Sequence, residues 1–244
     1  MGKKIGIIGL GTIGSYLKER IESSDKFELA FILDVDKTKA TVSSLDKTNL
    51  SKIDLVVECA SAEAVKEYAA KVLEKTDLMI LSSSALAEKN LEEKITVARK
   101  KFGTKLFIPS GAIIGLDGIV AVKEQLESVE LVTRKNPKGF GRNDKKETVL
   151  FEGNARKAAM LYPKNVNVAA TLALNGIGFE KTRAKIISDP KCTANTHTVT
   201  AKGKFGAFHI KVAALPSKNP KTSGIAALSA WRKINEILLG RSLD

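Results

Sequence analysis

Through the first 109 residues, short and nearly continuous apolar runs alternate with stretches whose apolar residues recur at helical spacing. Lys4–Gly9 is an apolar run ending in a glycine loop, after which Ile13, Leu17 and Ile21 repeat every four residues. Phe27–Leu33 and Asp54–Cys59 are again almost uniformly apolar, as strands buried on both faces should be. Val65, Tyr68, Val72 and Leu73 mark one face of the next helix, Leu78–Leu81 a further strand, and Leu91, Ile95, Ala98 and Phe102 another helix. Lys105–Ile108 closes the series at Pro109. Repeated β-α-β units predict a parallel, doubly wound sheet. Between Asp34 and Asp54 there is too little chain for a full crossover helix. That segment reads as a short helix or loop with a weak strand near Thr41–Leu45.

The texture changes after Pro109. A glycine-rich loop and one short helix fill 110–126, and then strand-like runs appear at Val129–Thr133, Val149–Glu152, Thr182–Ile187, Thr196–Ala201 and Ala207–Ala213. Several alternate with period two, which suits a sheet with one open face. Helices are predicted around Ala155–Tyr162 and Val166–Leu174. At the end of the chain Asn219 is an N-cap, Pro220 a first helical residue, and Ile225, Leu228, Trp231, Ile234 and Leu238 a stripe. Burying that stripe is simplest against the first lobe. The expected fold is therefore α/β: residues 1–109 form one lobe completed by the C-terminal helix 220–244, and 110–219 form a second, inserted α+β lobe.

Composition narrows the class. The chain is 43% hydrophobic and 27% charged, ordinary for a globular protein, and no apolar stretch approaches a membrane span. Cys59 and Cys192 make no disulfide framework, and His197 and His209 sit in no ligand cluster, so neither a disulfide fold nor a metal site is expected. The reading is a cytoplasmic protein with no membrane partner. A net charge of +13 raises nucleic acid as a partner. The basic residues, however, are scattered among glutamates and lack aromatic interleaving. They read as a solvated surface whose field draws anionic ligands, with no nucleic acid involved.

The motif that carries chemistry is Gly9-Leu10-Gly11-Thr12-Ile13-Gly14, which follows a buried strand, opens a helix and precedes Asp34 at the end of the second strand. In that context it is a Rossmann-type dinucleotide fingerprint. Gly9 allows the tight turn, Gly11 lets the backbone approach a pyrophosphate, and Gly14 lets helix and strand pack closely. The N–H groups at the helix start, including those of Thr12 and Ile13, face the phosphates. Asp34 suits the ribose hydroxyls and repels a 2′-phosphate. NAD is thus expected to be preferred, with NADP possible because Lys37 and Lys39 are close by. Cys59-Ala60-Ser61 and Ser82-Ser83-Ser84 end strands at the same edge; they are either cofactor-contacting or plain turn residues.

Four fragments give a family. Pro109-Ser110-Gly111-Ala112-Ile113, Asn165 through Thr171, Asn195-Thr196-His197 and Asn219-Pro220-Lys221-Thr222-Ser223 together resemble the L-aspartate dehydrogenase family across nearly the whole chain. The resemblance implies NAD(P)-dependent oxidation of L-aspartate to iminoaspartate, a product that feeds NAD biosynthesis, in a homodimer joined through the second lobe. It implies that His197 is the catalytic residue and that Ala112 and Asn167 contact the cofactor. From the residues alone His197 is either a strand-start histidine or an acid–base group. Lys221, Thr222 and Ser223 are either helix caps or ligands of a substrate carboxylate. Homoserine dehydrogenase and dihydrodipicolinate reductase share the two-lobed plan and are enzymatic alternatives. An NAD-sensing binder without catalysis is the alternative of another class.

Overall fold

The computed structural model describes residues 2–163, 166–215 and 224–240. The chain divides into two compact units, Met1–Pro109 with Ala227–Asp244, and Ser110–Ala226. No helix among the described residues is long and apolar enough to cross a membrane.

In the first unit, β1 (Lys3–Ile8), α1 (Thr12–Glu22), β2 (Phe27–Leu33), β3 (Leu55–Glu58), α2 (Ala62–Leu73), β4 (Leu78–Ile80), α3 (Lys89–Phe102) and β5 (Leu106–Phe107) follow one another. The five strands are parallel in the order β2-β1-β3-β4-β5. Strands this apolar need cover on both faces. Ile5, Ile7, Leu55, Val57 and Met79 are packed with Leu17 and Ile21 of α1 in one core.

The expected strand near Thr41–Leu45 does not form. The β2–β3 connection is a loop with two 3₁₀ turns, Leu45–Lys47 and Leu50–Lys52. Thr41 nonetheless imitates a ladder: its Oγ1 accepts the Ile32 N–H at 2.7 Å and its own N–H donates to the Ile32 carbonyl at 2.9 Å. The Val42 N–H joins it on the same Ile32 carbonyl at 3.2 Å, and no strand forms there.

The second unit contains α4 (Leu116–Ala121), β6 (Leu126–Lys135), β7 (Thr148–Asn154), α5 (Ala155–Leu161), α6 (Asn167–Asn175), β8 (Arg183–Ser188), β9 (Asn195–Gly203) and β10 (Gly206–Ala214). Its sheet is mixed, ordered β10-β9-β6-β8-β7, with only β6 and β8 parallel. β9 buries alternate residues, Asn195, His197, Val199 and Ala201, and β6 buries Val129, Leu131, Thr133 and Lys135. Gly176 at the end of α6 lies against Ile119 of α4 and Val129, so helices cover this face at its apolar end. β6 has ten residues where the apolar alternation predicts five, because it begins three residues earlier at Leu126 and continues two residues past Thr133 to Lys135.

The last helix, α7 (Gly224–Leu239), places Ala230 and Ile234 in the core of the first unit, with Trp231, Ile237 and Leu238 against it. Trp231 meets Phe27 edge-on at 5.4 Å and lies under the Arg20 guanidinium at 5.1 Å, a pairing that adds to burial. Leu228, expected in the buried stripe, is exposed instead, and Ala230 takes the inward position. Asn219 and Pro220 lie outside the described residues.

Candidate active site

The glycine loop has the shape its sequence requires. Gly9 adopts φ +93°, and a Cβ there would lie 2.6 Å from the Ala60 Cβ. At Gly14 a Cβ would fall 2.0 Å from the Gly9 carbonyl oxygen. At Gly11, by contrast, a Cβ would meet nothing within 4 Å, which leaves open space beside the start of α1. The first helical bond runs from the Ser15 N–H to the Gly11 carbonyl, so the N–H groups before it end the helix unpaired by it. Two glycines are forced by contact, and the third borders space that an anion can fill.

Asp34 locks this loop to the end of β2. Its Oδ2 accepts the Leu10 N–H at 2.5 Å and its Oδ1 accepts the Asp36 N–H at 2.8 Å. A pocket of about 440 Å³ opens beside it, walled by Gly9, Asp34, Val35, Lys37, Ala60 and Tyr68 among others. Val35 is fully exposed there, an apolar surface without cover from the first unit. The arrangement fits a dinucleotide: a helix start for phosphate, a carboxylate for hydroxyls and an apolar wall for a flat ring.

Glu58 holds the neighbouring loops. It ends β3 and is 1% exposed, yet both its oxygens are engaged. Oε1 accepts the Ala60 N–H at 2.8 Å and the Ser82 hydroxyl at 2.8 Å; Oε2 accepts the N–H groups of Ser82 at 3.1 Å and Leu81 at 3.3 Å. Burial raises its carboxyl above the usual range, and the donors from Ser82, Ala60 and Leu81 oppose that. The segments after β3 and β4 are thereby fastened to one side chain. Cys59 sits beside it, and burial together with the Glu58 charge raises its thiol, so it stays protonated.

The second unit carries its own polar cluster. His197 is 2% exposed, and its Nδ1 lies 3.1 Å from Thr133 Oγ1 on the adjacent strand. Burial, and then the charge of Lys135, push the imidazole down to about 3, so the ring is neutral at physiological pH. Lys135 is 4% exposed, and burial pushes its ammonium down to about 8. The loop leading into β9 is fixed to the end of β6. The Asp189 N–H donates to the Lys135 carbonyl at 2.9 Å, and Asn136 Nδ2 donates to the Cys192 carbonyl at 3.2 Å.

Of the residues singled out by sequence, Gly9, Gly11, Thr12, Ile13, Gly14, Asp34, Cys59 and Ala60 gather at one edge of the first sheet. Ala112 is buried in the turn closed by the Ile113 N–H to the Ser110 carbonyl, and Asn167 starts α6; both belong to the second unit with His197. Lys221, Thr222 and Ser223, like Asn165, lie outside the described residues. His209 is exposed on β10, 3.0 Å from Thr200 Oγ1. Burial and then Asp189 raise the Cys192 thiol, which keeps it protonated. Two residues escaped the sequence reading. Glu58 was signalled by a charge closing an uninterrupted apolar run, and Lys135 by a period-two alternation that continues past Thr133.

Comparison with known proteins identifies the family. Residues 117–237 match the family described as aspartate dehydrogenase, C-terminal, and residues 9–109 match the homoserine dehydrogenase NAD-binding domain. The chain is 41% identical to L-aspartate dehydrogenase of Methanosarcina mazei, over 96% of this chain and 97% of that one. The chain belongs to the L-aspartate dehydrogenase family. Within that family it is also 39% identical to the Archaeoglobus fulgidus protein, over 97% and 98% of the two chains. The crystal structure of aspartate dehydrogenase from Thermotoga maritima superposes with a TM-score of 0.81 at 32% identity, covering 100% and 99%. Dihydrodipicolinate reductase from Paenisporosarcina, at 11% identity and a TM-score of 0.56, shares the fold alone. Homoserine dehydrogenase, one of the alternatives, is thus represented in the nucleotide-binding match and not in the second-unit match.

Proposed function

We propose that this protein oxidises L-aspartate to iminoaspartate with a nicotinamide cofactor, and in reverse aminates oxaloacetate reductively. The reading is carried by end-to-end similarity to proteins named L-aspartate dehydrogenase, which spans both units. The first unit, residues 1–109 completed by α7, is the dinucleotide-binding domain, and the second unit is the substrate and dimerisation domain. Gly9, Gly11 and Gly14 with the N–H groups of Thr12 and Ile13 hold the pyrophosphate, and Asp34 holds the ribose. Val35 and Tyr68 wall the space for adenine, Cys59 and Ala60 are the further cofactor contacts of the first unit, and Ala112 and Asn167 are assigned cofactor contacts by the family resemblance. When bound, the cofactor supplies the acceptor for the hydrogen leaving Cα with its electron pair.

His197 does the proton work. Its base form is already present at neutral pH, because burial disfavours the imidazolium. In the tautomer whose Nδ1–H donates to Thr133 Oγ1, Nε2 carries the free lone pair. That nitrogen removes a proton from the substrate ammonium, and the freed amine lone pair then forms the C=N bond as the Cα–H bond breaks. In the reverse direction the same nitrogen returns the proton. Lys221, Thr222 and Ser223 are candidates for one substrate carboxylate.

Asp34 favours NAD, because a 2′-phosphate would face a carboxylate whose two oxygens are already oriented by backbone N–H groups. Lys37, on the same pocket wall, leaves NADP usable. We further assign the protein to the cytoplasm as a homodimer feeding NAD biosynthesis. The sheet face bearing Thr196, Thr198 and Thr200 is only half-covered, which supports the dimer. A substrate panel tests the function: L-aspartate, homoserine and L-alanine with NAD or NADP at alkaline pH, followed by NADH absorbance. Turnover confined to homoserine would transfer the chain to the rival activity, and a tenfold preference for NADP would remove Asp34 from the ribose.

A further inference from the structure

A buried lysine ammonium loses its water and is held by what surrounds it. Lys135 is 4% exposed at the C-terminal end of β6. Register fixes its company. Thr133 stands opposite His197, so Lys135, two residues on, is the diagonal neighbour of His197 on the same buried face. Diagonal pairs across antiparallel strands are roughly 7–8 Å apart, within reach of long side chains. Ser188 of β8 stands beside Lys135 in the parallel register, and its hydroxyl donates to Asp144 Oδ2 at 2.7 Å, with Asp144 itself held by Arg142. On the other side Val212 of β10 stands beside His197. The Lys135 Nζ lies 5.9 Å from the centre of the Phe140 ring. Among the described residues, Lys135 is the charged group that acts on the His197 ring.

We propose that the Lys135 ammonium receives one carboxylate of the dicarboxylate substrate beside His197, making it a specificity-determining residue of the reaction. The inference rests on the reading of L-aspartate as substrate and His197 as base. A dicarboxylate needs two cationic or N–H partners, and a buried ammonium is the stronger kind, since charge-assisted bonds gain strength out of water. The position also couples recognition to chemistry. Before substrate arrives, burial and then the Lys135 charge keep His197 deprotonated. A carboxylate seated on Lys135 cancels the second of these and so helps the ring hold the proton it removes.

The test uses Lys135→Met, which keeps the stem and removes the charge, and Lys135→Arg, which keeps the charge. Succinate, a dicarboxylate that cannot be oxidised here, is titrated by calorimetry into the NAD-saturated protein. Lys135→Met should weaken succinate at least tenfold and raise the KM for L-aspartate by a similar factor. NAD affinity should stay within twofold, and Lys135→Arg should recover part of the loss. The His197 ring signals should titrate at higher pH in Lys135→Met, a change that lost packing would not produce. Lys135→Gln serves if the methionine variant does not fold. Unchanged succinate affinity with unchanged KM would overturn the proposal while leaving the aspartate reading intact. Wild-type protein that binds succinate through Lys135 but does not oxidise aspartate would sink that reading alone. Wild-type protein that does neither would sink both.

Discussion

Glu58→Gln removes half of the acceptor capacity from the side chain that fastens the segments after β3 and β4. The wild-type carboxylate takes four donors, two on each oxygen. In the better of its two orientations, the glutamine amide points at Ala60 and Ser82 Oγ. The hydroxyl can turn and accept from it, but the Ala60 N–H is left facing another donor. An unsatisfied buried N–H costs about 1–3 kcal/mol, and the remaining bonds lose their charge assistance. Relief of the buried charge offsets part of this, since burial raises the Glu58 carboxyl. The net expectation is a loss of about 1–3 kcal/mol. Function should suffer with it, because a Cβ at Gly9 would already touch Ala60, so Ala60 cannot shift without moving the glycine loop. Urea unfolding measures the first effect and calorimetric NAD titration the second, with a fivefold or greater loss of affinity expected. A variant as stable as the wild type that binds NAD within twofold would refute the clamp.

Gly14→Ala should weaken NAD at least tenfold, since its Cβ would sit 2.0 Å from the Gly9 carbonyl oxygen and overpacking of this kind costs about 1–3 kcal/mol or more; an alanine variant with normal titration would mean the loop yields. Acid should destabilise the fold through His197. Its folded value of about 3 lies below the unfolded 6.5, so the unfolded chain takes the proton first, and stability falls as pH drops from 6.5 towards 3. At about 1.4 kcal/mol per pH unit the loss reaches up to about 5 kcal/mol. Urea midpoints at pH 7, 6, 5 and 4 should fall more steeply for the wild type than for His197→Gln, and parallel slopes would refute a buried neutral ring.

What the sequence disclosed follows from where periodicity is strong. The strands of the first unit are uniformly apolar because both faces are covered, and the glycine motif is spelled by contacts that only glycine tolerates at Gly9 and Gly14. Residues 35–53 have no apolar period, and the strand-like contact of Thr41 and Val42 with Ile32 is made by a hydroxyl as well as by backbone. Lys135 was hidden by its chemistry. Apolar alternation marks a strand only while the buried face is apolar, and β6 turns polar where the face carries His197. Glu58 shows in the sequence as a charge ending an apolar run, but the four donors that hold it come from the folded loops and have no sequence signature. Leu228 misled because a helical stripe has two possible centres, and packing on Phe27 selects the one through Trp231 and Ile234.

The central claim is that His197 carries the proton chemistry while the glycine loop and Asp34 carry the cofactor. It is tested most directly by measuring kcat for L-aspartate and the Kd for NAD on the same preparations of wild type, His197→Ala and His209→Ala. A positioned acid–base group contributes about 10²- to 10⁴-fold in rate. The account predicts that His197→Ala loses at least about a hundredfold in kcat. Its NAD affinity should stay near that of the wild type, and His209→Ala, altered at an exposed position on β10, should keep its activity. Near-normal kcat in His197→Ala would contradict the account, whatever the behaviour of His209→Ala.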